Sequence, residues 1–404
     1  MPKTGVIYVM AKAEENGFYY GNSDWANLGQ GAPETGHIKQ GPTRLYKAEL
    51  DQDSSEYSPV AGDTGLREAV ANLYNTRFRL NHSSRYTSEN VAISPGGRAA
   101  LCRIAATINN INLGHFLPDY TAYEELLSVF NGFSAIPISH ASQSGFKPDV
   151  AAMEKAMINL GLGAMLLSNP CNPSGQVIIG KELDTLINAA KQVDCAMIFD
   201  EFYAHYIYDH KAEAVSAARY IDDVNKDKVL IVDGLTKNWR YPGLRISWTL
   251  GPKKIIEKLA SAGSFLDGGA VHPIQKAVIP LLSLEHAKAE AMSIQQRFRK
   301  KRDYMLDRLQ TLGFILPATP RGGFYCFASL ENLPSPLRDG MLFFKALLKY
   351  KVICVPGQFF DVNPGQRRKS ANTRLKNYVR FSFGPKLAEL KLGLDRIEQL
   401  IKSL

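Results

Sequence analysis

Cysteine is scarce. The 404 residues hold five, at positions 102, 171, 195, 326 and 354, and no two stand in CxxC spacing. That argues against a disulfide-stapled scaffold and a thiol-based metal or redox pair, and it fits a reducing cytosol. Positions 102, 195 and 354 lie in apolar runs and are expected in the core. Long apolar runs are missing as well. The mildly apolar start, Met1 to Met10, meets Glu14-Glu15 with no cleavage-type pattern. A membrane or secreted location is disfavoured, and a cytoplasmic one is expected. There is no internal repeat, no low-complexity stretch, and no helix-turn-helix pattern in the first 50 or so residues. The net charge is +9, but basic residues are scattered, with short clusters only at 297–302 and 367–369. These read as solvated faces rather than a nucleic-acid surface.

What is present is an ordinary globular composition, 45% hydrophobic and 22% charged, on a chain long enough for two domains. Short apolar runs at 91–93, 115–117, 135–138, 164–167, 196–199 and 229–232 read as buried strands, and helical patterns separate several of them, the first at 98–109. Such alternation implies an α/β fold, a mostly parallel sheet with helices on both faces. A long charged helix is expected at about 284–313 as a connector. After it come strands at 324–327, 352–355 and 378–383 and helices at 337–350 and 385–403, a smaller α+β domain. The expected division is a loop-rich segment 1–50 packing on the smaller domain, a large domain 51–295, and the smaller domain 296–404.

Ligands of parallel sheets bind at the carboxyl ends of the strands. Gly96-Gly97, the loop Asn169-Pro170-Cys171-Asn172-Pro173-Ser174-Gly175, Asp200 and Lys237 each follow one of the expected strands. Together with Tyr203 and Arg245 they supply an amine able to form a Schiff base, a carboxylate, a phenol, an amide, a guanidinium and a helix N-terminus suited to phosphate. That is the set of groups needed to hold pyridoxal phosphate and use it as an electron sink.

In order and spacing, these motifs resemble the class I/II aminotransferases, the fold-type I enzymes dependent on pyridoxal 5'-phosphate. The resemblance runs from Asn27-Leu28-Gly29-Gln30-Gly31 to Arg380. It implies a large domain with a seven-stranded, mostly parallel sheet. It implies that Lys237 is the Schiff-base lysine and the base that moves the substrate Cα proton. Asp200 would pair with the pyridine nitrogen, Tyr203 and Asn172 would contact O3′, and Tyr120 would stack on the ring. Gly96, Gly97 and Arg245 would hold the phosphate, and Tyr57 would reach the phosphate of a neighbouring subunit in a homodimer with shared active sites. Arg380 would clamp the substrate α-carboxylate, with Asn172 and a backbone contact from Gly31 beside it. No metal is implied.

Two departures stand out. The family's usual serine three residues before the lysine is Gly234 here, and Arg98 stands where a small or neutral residue is usual. Either Arg98 replaces the lost hydroxyl at the phosphate, or it points along its helix into solvent. No arginine lies between Arg245 and Arg297, so the family's second arginine for a dicarboxylate is missing. Phe265 and Asp267 occupy that stretch, and suggest a bulky neutral or aromatic donor, or a basic one. The resemblance implies amino-group transfer between an L-amino acid and a 2-oxo acid. A lyase or synthase on the same fold is the alternative, and a non-catalytic ligand sensor a remote one.

Overall fold

The computed structural model describes residues 5–208, 212–369 and 372–404. Seven strands form the main sheet: β1 (Val91–Ser94), β2 (Asn112–Leu117), β3 (Ser134–Ser139), β4 (Leu162–Ser168), β5 (Ala196–Asp200), β6 (Val229–Gly234) and β7 (Ser247–Leu250). Their order is β1-β7-β6-β5-β4-β2-β3. Only β7 runs against the rest, antiparallel to both β1 and β6. Every residue of β6 is buried. Burial on both faces of a parallel sheet is why these strands show as unbroken apolar runs rather than alternation. β7 was not foreseen. Its sequence, Ser-Trp-Thr-Leu, is short and half hydroxylic, yet all four residues are buried.

The flanking helices follow local rules. Lys181–Gln192 buries Leu183, Leu186, Ile187 and Ala190, one stripe at helical spacing. Asp149 caps Val150–Asn159 by accepting the Ala152 N–H. The parallel registers align the strand ends: Ser168 pairs with Asp200, and Asp200 with Val232. The loops after β4, β5 and β6 therefore leave the sheet at one level.

The long charged pattern forms one helix, Leu284–Thr311, of 28 residues. At 1.5 Å per residue it spans about 42 Å. Beyond it β8 (Tyr325–Ser329), β9 (Val355–Pro356) and β10 (Tyr378–Ser382) make an antiparallel sheet in the order β9-β10-β8. Helices Gly340–Lys349 and Leu387–Lys402 accompany it. The single strand expected at 352–355 is divided. Val352–Ile353 pairs in parallel with Ala26–Asn27, whereas Val355–Pro356 pairs with Val379 and Arg380. The first 50 residues are less loop-like than expected. Gly5–Glu15 is a helix that buries Val9 and Met10, which read from sequence as part of a mildly apolar start, and Ala13 beyond it. Among the described residues no helix is long and apolar enough to cross a membrane.

Candidate active site

Lys237 sits in the loop that leaves β6. Its carbonyl accepts the Tyr206 hydroxyl at 2.9 Å, and its Nζ meets the carbonyl oxygen of Gly31. Burial lowers the amine's pKa from 10.5 to about 7, with the cations Arg380, Arg245 and Arg98 pushing the same way and Asp200 opposing them. Such an amine exists as free base in useful amounts near neutrality.

Asp200 ends β5 at 5% exposure. Its carboxylate accepts the Tyr123 hydroxyl at 2.9 Å and the Phe202 N–H at 3.4 Å, and burial raises its pKa to about 6. Tyr203 is buried, and its hydroxyl shares a hydrogen bond of 2.8 Å with Tyr325.

Gly96 and Gly97 open the helix Gly97–Thr107. Gly96 has a φ of 94°, and a Cβ there would strike the Arg245 guanidinium; one on Gly97 would strike the Phe202 ring. Glycine is thus required where the arginine folds over the helix N-terminus. Arg245 itself adopts a φ of 54° and donates to the Pro242 carbonyl at 3.0 Å. Arg98 does more than point along its helix, because its guanidinium donates to the Tyr120 hydroxyl at 3.3 Å. The half-buried Tyr120 ring meets Tyr123 edge-on at 5.5 Å. Gly234 has no room for a serine: a Cβ would lie 2.6 Å from the Ile246 carbonyl oxygen.

Arg380 lies mid-β10 at 1% exposure. It donates to Asn172 Oδ1 at 2.9 Å and to the Gly29 carbonyl at 2.5 Å, and its guanidinium lies 4.1 Å from the Tyr325 ring centroid and 4.9 Å from that of Phe360. Among the described residues its Nε is buried without a partner, as are Ser94 Oγ and Thr236 Oγ1, which lie two residues before Gly96 and one before Lys237 in the chain.

An anion cradle, an amine that readily loses its proton, and a buried carboxylate hydrogen-bonded by neutral donors are matched in kind to a phosphate, an aldehyde and a ring nitrogen. The residues present fit pyridoxal phosphate. Tyr57 lies outside this cluster and is 98% exposed. Two substrate expectations change. Asp267 is engaged by Arg103, whose Nε bonds its Oδ2 at 2.9 Å and whose Nη2 bonds its Oδ1 at 2.5 Å, so it is not a free anion for a basic donor. Phe265 is 74% exposed in the single chain.

Sequence reasoning passed over Tyr123, Tyr325 and Asp119. Tyr123 opens the helix Tyr123–Val129 three residues after Tyr120, and no sequence signal marked it. Asp119 touches Ser168 Oγ, which in turn accepts the Asn172 N–H at 3.2 Å, and burial raises its pKa to about 8.

The sequence profile of the family described as aminotransferase class I and II matches residues 23–397. The chain is 26% identical over 371 residues to an aspartate aminotransferase of Sulfurisphaera tokodaii, covering 89% of this chain and 85% of that protein. It is 27% identical to an aspartate/prephenate aminotransferase of Thermus thermophilus, over 90% of this chain and 87% of that one. The fold is shared with a Thermus thermophilus aspartate aminotransferase variant complexed with tryptophan, at a TM-score of 0.82 and 25% identity, covering 99% of this chain and 97% of that chain. With a family match over nearly its whole length and the fold of solved aminotransferases, the chain belongs to the class I and II aminotransferases, enzymes that depend on pyridoxal phosphate to move an amino group between an amino acid and an oxo acid.

Proposed function

We propose that this aminotransferase binds pyridoxal phosphate at Lys237 and takes its amino group from a neutral, aromatic L-amino acid. The observation that carries the reading is the half-buried Lys237 amine in the loop after β6, its Nζ against the Gly31 carbonyl and its pKa lowered to about 7 by desolvation and by Arg380, Arg245 and Arg98. In this reading Gly96, Gly97, Arg245 and Arg98 would hold the phosphate, with Arg98 supplying a charged contact in place of the hydroxyl that Gly234 lacks. Asp200 would pair with the ring nitrogen, Tyr203 and Asn172 would contact O3′, and Tyr120 would stack on the ring. The bound cofactor supplies an electron sink for the pair left when the substrate Cα–H bond breaks. Arg380 forks the α-carboxylate, exchanging the Gly29 carbonyl for it, and so fixes the direction of Cα. Gly31 lies beside that carboxylate. Lys237 Nζ, as free amine, takes the Cα proton.

The aromatic preference is supported by the rings of Tyr325 and Phe360 around Arg380, by the loss of Asp267 to Arg103, and by the absence of arginine between Arg245 and Arg297. Relatives bear both aspartate and aromatic names, the latter including an aromatic-amino-acid aminotransferase of Thermococcus litoralis. A homodimer with Tyr57 reaching the neighbouring site is supported by the exposed Tyr46, Leu50, Tyr57 and Phe265, 74–98% accessible in the single chain. Residues 1–50, 51–295 and 296–404 are the proposed N-terminal segment, large domain and small domain. A cytoplasmic location is supported by five free cysteines.

The test is product analysis with a panel of L-amino acids and 2-oxoglutarate. Glutamate formed in proportion to an aromatic 2-oxo acid supports the reading. Faster exchange with aspartate than with any aromatic donor overturns the substrate class, and ammonia released in place of glutamate overturns the transfer itself.

A further inference from the structure

We infer that Tyr325 is a positioning residue that couples the cofactor side of the site to the substrate side, its hydroxyl setting Tyr203 and its ring setting Arg380. Tyr325 opens β8 and pairs with Ser382 of β10, while Arg380 pairs with Phe327. Tyr325 and Arg380 are therefore diagonal neighbours on one sheet face, within reach of long side chains. The guanidinium lies 4.1 Å from the ring centroid, inside cation–π range, and both residues are 1% exposed. On the other side the Tyr325 hydroxyl meets the Tyr203 hydroxyl at 2.8 Å. A phenol has one proton to donate, so when one of this pair donates to the other, the accepting phenol keeps its own proton for a third group.

The third contact is with the N-terminal segment. A Cβ on Gly31 would lie 2.6 Å from the Tyr325 hydroxyl. Gly31 also offers its carbonyl to Lys237, and Gly29 offers its carbonyl to Arg380. The segment can run between the two cations only because residue 31 lacks a side chain against Tyr325. Gly31 is not among the positive-φ glycines. Its requirement is one of space, set by a single oxygen atom.

This rests on reading Arg380 as the carboxylate clamp for its substrate half, but its packing half stands alone. The experiment compares Gly31→Ala, Tyr325→Phe, Tyr325→Leu and the double variant Gly31→Ala/Tyr325→Phe, with Arg380→Lys in the same series. Removing the hydroxyl should make room for the methyl. Gly31→Ala alone should lower kcat/KM about 30-fold or more and lower the apoenzyme Tm, through overpacking. The double variant should return to within about threefold of Tyr325→Phe, with the Tm restored. Tyr325→Phe keeps the ring, so KM for the best amino donor of the panel should stay, while Kd for pyridoxal phosphate rises about fivefold through Tyr203. Tyr325→Leu should add a rise in KM of about tenfold. No rescue in Tm by the second substitution overturns the packing contact. Should Gly31→Ala fail to accumulate, the Phe and Leu variants decide, and identical KM and Kd for the two overturn the division between hydroxyl and ring. An unchanged KM in Arg380→Lys would overturn the clamp reading instead, leaving the Tm rescue as a separate result.

Discussion

The two ends of the site are built in different ways. The Lys237 end is assembled from the termini of neighbouring parallel strands, with Ser168, Asp200 and Val232 in register across β4, β5 and β6. The Arg380 end is assembled from distant segments: Arg380 reaches Asn172 across 208 residues of chain and Gly29 across 351. The first end is a property of the sheet, fixed once the strands pair. The second depends on the N-terminal segment, the small sheet and the loop after β4 all packing together. Apart from the Tyr203–Tyr325 hydroxyl contact, cofactor chemistry should therefore withstand disturbance of the small sheet better than substrate binding does.

The sharpest way to break that contrast is Lys237→Ala. It should lower the turnover of any donor about 10³-fold or more, since the base that moves the Cα proton is gone. Retained turnover would place the base elsewhere. Arg380→Lys should cost about 10- to 100-fold in kcat/KM, mostly as a rise in KM, because an ammonium cannot fork a carboxylate. Cofactor affinity should be unchanged in the same variant, and a matching loss would mean the two ends are not separable. Asp267→Asn should leave the choice of donor alone and lower stability by about 3 kcal/mol, read by denaturant unfolding, because it strips the buried Arg103 of its anion. A change in donor preference would return Asp267 to the substrate.

A further prediction concerns pH. The folded apoenzyme holds the Lys237 pKa near 7, against 10.5 for a free lysine. The unfolded chain thus binds more protons between those values, and the contribution of Lys237 to stability rises with pH across that window. Below pH 7 both states are protonated and the full penalty is present. The apoenzyme of Lys237→Met should accordingly be more stable than wild type at pH 6–7, and its advantage should shrink toward pH 10. A constant difference in Tm across that range would mean that Lys237 titrates normally.

The same contrast explains what sequence could disclose. β4, β5 and β6 announce themselves as apolar runs followed by a polar motif, so the main sheet and the positions of Asn172, Asp200 and Lys237 were legible. β7 was missed because Ser-Trp-Thr-Leu is short and half hydroxylic, not an unbroken apolar run. The strand at 352–355 was seen as one, because nothing local says that Val352–Ile353 will pair with Ala26–Asn27 and Val355–Pro356 with β10. Tyr325 was passed over for the same reason. A tyrosine in an apolar strand looks like core, and only the tertiary packing places it between Tyr203, Arg380 and Gly31. The partner of Asp267 was not legible because Arg103 lies 164 residues away.

One measurement bears most directly on Lys237. Protein loaded with pyridoxal phosphate is mixed with each L-amino acid in a single turnover, with no oxo acid present, and the cofactor absorbance is followed. The expected result is a lasting change of the band with one equivalent of 2-oxo acid released, fastest for an aromatic donor and lost in Lys237→Ala. A band that shifts and returns while ammonia or carbon dioxide accumulates, or a Lys237→Ala variant that behaves like wild type, would contradict it.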